Sequence, residues 1–106
     1  MHWLVGRFET AARDAFAFLV EQGFTVVSEH DLSSPPSHVT VRFEDVPATV
    51  VETQLTTASD GSFAVTTFVR ADEADHLLGP STAEGDEWVG RELHDHAAHV
   101  RDVLGH

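Results

Sequence analysis

The sequence predicts an α+β domain: a four-stranded antiparallel sheet in αββββα order, with both helices on one face. Three observations lead there. Apolar residues recur at helical spacing near the N-terminus, apolar and polar residues alternate strictly in the middle of the chain, and a second helical stripe closes it. With 106 residues there is room for one core, so residues 1–106 are read as a single domain, able to bury roughly two-thirds of the surface its unfolded chain exposes.

Phe8, Ala12, Ala15, Phe16 and Leu19 share one side of a helix over residues 7–22, with Arg7, Glu9, Arg13, Asp14 and Glu21 mostly elsewhere on the wheel. Gly23 is placed to end it in the left-handed conformation, and Phe24 then packs back on Leu19 as in a Schellman ending. Residues 24–30 form the first strand, which stops at Ser33-Ser34-Pro35-Pro36-Ser37 because two prolines remove amide donors. In the second strand, 38–44, Val39, Val41 and Phe43 face one way while His38, Thr40, Arg42 and Glu44 face the other.

After a turn at Asp45-Val46-Pro47, residues 48–57 and 62–70 form a hairpin. A two-residue Asp60-Gly61 loop would pair Leu55 with Thr66 and set inward residues against outward ones. A three-residue loop, Ser59-Asp60-Gly61, pairs Val51 with Val69, Thr53 with Thr67, Leu55 with Val65 and Thr57 with Phe63, which keeps both faces consistent. The outward face then holds Glu52, Gln54, Thr56, Thr66 and Arg70, with Val50, Ala64 and Phe68 as an apolar island. Residues 71–86 are acidic and broken by Gly79-Pro80, with one helical turn expected at 72–78. The last helix starts either at the capping-box spacing Ser81-Thr82-Ala83-Glu84 or at an Asp86 N-cap. It buries Val89, Leu93, Ala97, Val100 and Leu104 and ends at Gly105.

Charge narrows the function. Eighteen Asp and Glu stand against six basic residues, all arginine, for a net charge of -12. Such a surface repels nucleic acid and anionic membrane and attracts basic protein. Genome composition and salt adaptation explain the balance as readily as a dedicated partner does. Protonating all eight histidines would move the charge from -12 to -4, since 12 - 8 = 4, so electrostatic binding should change across roughly pH 5 to 7. No cysteine is present for disulfides or thiolate metal sites. Without a basic, apolar leader or a long apolar run, a soluble cytoplasmic protein is expected.

Chemistry is sparse. Tyrosine, cysteine and lysine are absent, as are a G-x-S-x-G elbow, a G-x-G-x-x-G fingerprint and a P-loop, so neither an enzyme nor a cofactor is expected. The dense ligand cluster is His94-Asp95-His96-Ala97-Ala98-His99, in which Glu92, His96 and His99 share a helical flank and could offer a divalent metal one carboxylate and two imidazoles. HExxH is missing. His30 and His38 bracket the double-proline loop as a candidate pH-responsive patch with Glu29 and Asp31. Asp72, Glu73, Asp75, Glu84, Asp86 and Glu87 make an acidic rim, and Trp88 beside Glu92 and Asp95 has the composition of an interface anchor. Cover by Leu77 or Leu78 is an equal reading for Trp88, and Trp3 is open in the same way, with satellite packing the commoner outcome.

The run Phe16-Ala17-Phe18-Leu19-Val20-Glu21-Gln22-Gly23-Phe24, then alternating strands and a closing helix with Ala97-Ala98 and Val103-Leu104, resembles small bacterial α/β proteins, some of which are immunity proteins of toxin systems. The resemblance implies an immunity- or antitoxin-like inhibitor that covers a basic protein partner, and it transfers no site. Candidate contacts, read from the residues themselves, are Glu52, Arg70, Glu87, Trp88, Glu92 and Asp95. The alternatives are a metal-binding domain using Glu92, His96 and His99, and a structural homodimer.

Overall fold

The computed structural model of the protein describes residues 2–31, 37–45, 49–57, 63–71, 74–83 and 87–104. Helix α1 (His2–Ala15) breaks at Phe16 and resumes as the short α2 (Ala17–Glu21). The strands are β1 (Thr25–Asp31), β2 (Ser37–Asp45), β3 (Thr49–Thr57), β4 (Phe63–Ala71) and β5 (Ala74–Ala83), and α3 (Glu87–Leu104) follows. They pair antiparallel in chain order, β1-β2-β3-β4-β5. The class is the expected α+β, with an antiparallel sheet between N- and C-terminal helices, but the sheet has five strands where four were expected.

The extra strand corrects the reading of residues 72–78 as a helical turn. Residues 74–83 pair along β4, from Ala71 with Ala74 to Phe63 with Ala83. Gly79-Pro80 does not end the pairing. The register slips between Val65 and Thr67, and Gly79 turns to a φ of 92°, so the irregularity is absorbed as a bulge. A proline is tolerated in that position because an edge strand pairs on one side only. With Ser81, Thr82 and Ala83 in β5, the capping-box spacing there does not start a helix; Asp86, Glu84, Asp72 and Glu73 lie outside the described residues. The first helix also begins earlier than residue 7, at His2.

The junction from helix to sheet follows from one glycine. Phe24 donates its amide to the Leu19 carbonyl at 3.1 Å and Gly23 donates to Val20 at 3.0 Å, the two bonds of a Schellman ending. Gly23 has a φ of 99°, and Leu19 and Phe24 both enter the core. An added Cβ at Gly23 would meet nothing within 4 Å, so Gly23→Ala should cost only the left-handed backbone, about 1 kcal/mol. Urea unfolding checks this; an unchanged midpoint would mean that the helix end does not depend on that conformation.

The hairpin register is as the inward pattern demands: Val51 with Val69, Thr53 with Thr67, Leu55 with Val65 and Thr57 with Phe63. The loop residues 58–62 lie outside the described residues. Val39, Val41 and Phe43 of β2 stand beside Val51 and Leu55 of β3 and Val65 and Val69 of β4 on one side of the sheet. That side forms a single core with Phe8, Ala12, Phe16 and Leu19 from the N-terminal helices and Leu93, Ala97 and Val100 from α3. All helices therefore cover the same face. Arg101 adds a tie between α3 and α2, its guanidinium 4.4 Å from the centre of the Phe18 ring.

Candidate functional site

Alternation along the strands sends the other set of side chains outward, and the pairing aligns them in rows. Val27, Arg42, Glu52, Phe68 and Leu77 form one row across the sheet, next to Thr25, Glu44, Val50, Arg70 and Asp75 in another. Among the described residues no helix covers this side. Arg42 is its electrostatic centre: Nε donates to Glu52 Oε2 at 3.1 Å, and Nη1 lies 3.4 Å from Glu29 and 3.6 Å from Glu44. The hydrogen bond to Glu52, then the fields of Glu29 and Glu44, hold the guanidinium more firmly charged than usual against the opposing effect of burial. Arg70 donates to Asp75 at 3.1 Å and lies 5.7 Å from the Phe68 ring centre.

This face is acidic at one end and apolar at the other. Among the described residues Glu29, Asp31, Glu44, Glu52 and Asp75 share this face with Arg42 and Arg70, five negative charges against two positive, a net of -3. Leu77 at the β5 end is 64% exposed, and Val27 on β1 is 39% exposed. A surface hollow of about 240 Å³ lies at the far corner, lined by Glu29, His30, Asp31, His38, Thr40 and Gln54.

The six residues expected to contact a partner do not form one patch. Glu52 and Arg70 lie on the uncovered face. Glu92 and Asp95 belong to α3, on the helix side, where they line a groove of about 310 Å³ with Leu77, Leu78 and Gly79. Glu87 and Trp88 form the first turn of α3; their side chains, like that of Trp3, lie outside the described residues. Sequence reasoning missed Glu29, Arg42 and Glu44 as one cluster with Glu52. The signal was present, because Arg42 and Glu44 alternate outward on β2 and Glu52 alternates outward on β3.

His30 and His38 are separated by the sheet. His30 pairs with Val39 and turns inward, where its Nε2 meets Glu9 of α1. His38 pairs with Asp31 on the outer face, with Nδ1 3.3 Å from Thr56 Oγ1. Residues 30 and 38 occupy opposite pleats, so the two rings bond to different partners, yet both residues line the same corner hollow with Glu29 and Asp31.

The histidine cluster on α3 is divided as well. His94 and His99 are exposed, whereas His96 is only 4% exposed. Its Nδ1 lies 2.7 Å from Thr67 Oγ1, which is 3.0 Å from Thr53 Oγ1. His96 thus reaches the sheet from the flank it shares with Glu92 and His99, with which it lines the groove beside Leu77 and Leu78, but among the described residues no three His, Asp or Glu side chains are placed to hold a metal ion. Burial, first, and the positive field of His99 push the imidazole pKa below 6.5, against the opposing pull of Glu92 and Asp95.

The fold and its uncovered face stand without a relative to lend them a role: no family model, no curated protein and no solved structure matches the chain.

Proposed function

We propose that this protein is a non-enzymatic cytoplasmic binding domain, an immunity- or antitoxin-like inhibitor that covers a basic protein partner with the outer face of its sheet. The observation that carries the reading is the uncovered face itself, with its excess of carboxylates at β1 to β3 beside the apolar Phe68 and Leu77. Charges of this kind steer an oppositely charged partner into place, and the apolar end supplies area that water leaves on contact. The carboxylates around Arg42 are held in fixed positions by the guanidinium, so little side-chain freedom is lost when a partner's arginine or lysine arrives.

The test is co-expression with the products of neighbouring genes, followed by binding kinetics of any complex at low and high salt. A basic partner should associate fast and lose that speed as salt rises. The double variant Glu29→Lys/Glu52→Lys should slow association by about tenfold while changing dissociation far less, with circular dichroism confirming an unchanged fold. Association insensitive to both salt and these substitutions would overturn the reading.

A further inference from the structure

A carboxylate with no cation of its own is a place for one brought from outside, provided the ground beside it suits the rest of the incoming side chain. We propose that the groove between β5 and α3 receives an arginine side chain of the basic partner, its guanidinium on Glu92 and Asp95 and its methylene stem on Leu77 and Leu78. The inference rests on the partner reading only for the protein that supplies the arginine.

The protein shows elsewhere how it treats its carboxylates. On the outer face Arg42 serves Glu29, Glu44 and Glu52 while Arg70 serves Asp75, and on the inner side His30 meets Glu9. Among the described residues no ion pair reaches Glu92 or Asp95. Arg91 stands one turn before Asp95 on α3, but a basic residue N-terminal to an acidic one is the weaker order for an i, i+4 pair. Glu92 and Asp95 are themselves at i, i+3, so they rise side by side from one flank of the helix.

The groove offers about 310 Å³, near the lower end of the roughly 300–1,000 Å³ of a small-ligand pocket, which suits one long side chain. Its acidic wall on α3 faces an apolar one on β5, where Leu78 packs on the core and Leu77 is 64% exposed. Arginine is divided in the same way, with an apolar stem and a charged head. Its planar fork meets carboxylates with two N–H groups at a time, and it is more weakly hydrated than an ammonium, so it gives up water beside an apolar wall more readily than lysine does.

Leu77 belongs to both surfaces. It ends the outer row that runs through Phe68, and it also lines the groove, so a partner lying on the apolar end of the outer face has only to pass round the β5 margin to reach Glu92 and Asp95. The bulge at Gly79 works against strand pairing along that margin. Side chains, not backbone, are then what the margin offers.

The experiment is an NMR titration of the wild-type protein in EDTA, at about pH 8 and about 0.15 M salt, with a capped Gly-Arg-Gly peptide as probe and its lysine and citrulline counterparts beside it. The arginine peptide should shift the amides of Leu77, Leu78, Glu92 and Asp95 with a Kd on the order of millimolar. Citrulline, of the same shape without the charge, should shift none of them, and lysine should bind several-fold more weakly. Glu92→Gln/Asp95→Asn should weaken the arginine peptide about tenfold, whereas Glu21→Gln/Asp102→Asn, which removes the same charge at exposed positions elsewhere, should leave it unchanged. Shifts absent from the groove or spread evenly over the acidic surface, equal weakening by the two double variants, or equal binding of the lysine or citrulline peptide would overturn the proposal. No partner is needed, so the groove and the outer face can fail separately, and the three peptides on wild type decide even if a variant does not fold.

Discussion

Replacing Phe43 by alanine should cost about 3–5 kcal/mol, a large share of the roughly 5–15 kcal/mol that holds a domain of this size together. Phe43 sits on β2 between Val26 of β1 and Val51 of β3. It is fully buried, and its ring centre lies 5.4 Å from that of Phe16, at a 38° tilt, so it joins the sheet to the break between α1 and α2. Removing it takes away apolar area and leaves a cavity that strands tied on both sides cannot close. In urea the midpoint should fall by roughly 2 M with an unchanged slope. A loss below about 1 kcal/mol would show that the core is not closed around this ring.

Thr67→Val is the second large effect, although it changes neither volume nor backbone. The substitution removes from Thr53 and His96 the hydroxyl they share, and a buried polar group deprived of its partner costs about 1–3 kcal/mol. The diagnostic is the companion variant Thr53→Val/Thr67→Val/His96→Leu. Because it replaces all three polar groups of this hydrogen-bonded chain together, it should regain most of the loss. Equal destabilisation by the single and triple variants would mean that the chain contributes nothing as a unit.

The buried chain also shows how far the sequence was legible. The strand register placed Thr53 opposite Thr67 on the inward face, among valines and a leucine. Two inward hydroxyls ask for a third polar group from whatever covers them. His96 borders the stripe of Leu93, Ala97 and Val100 on the helical wheel, so it was available to answer. Reading it with Glu92 and His99 gave weight to the composition of the cluster and too little to the stripe beside it. Glu52 and Arg70 could be placed outward because period two leaves no freedom once the opposite face is apolar.

The strand at residues 74–83 was harder for a physical reason. An edge strand has a neighbour on one side only, so its pattern is weak: Leu78 turns toward the core while Leu77 stands exposed. Gly79-Pro80 imitates a chain break when it is in fact a local slip in pairing. The early start of α1 at His2 was missed although Leu4 and Val5, four and three residues before Phe8, continue its stripe; residues 2–6 offer no capping residue to mark the start. The rim carboxylates Asp72, Glu73, Glu84 and Asp86 flank β5 in the chain, but their arrangement lies outside the described residues.

The slip at Gly79-Pro80 has a consequence for how copies of this protein behave when crowded. A sheet with two straight margins can grow in both directions, each added molecule offering a fresh template for the next. Here one margin is spoiled by a missing amide and a left-handed residue, while the other, β1, pairs in unbroken register from Thr25 to Asp31. Among the described residues β1 is the straighter template, so strand-to-strand growth should favour β1, and a second molecule joining there uses up its own straight margin, which favours a closed pair over a fibre.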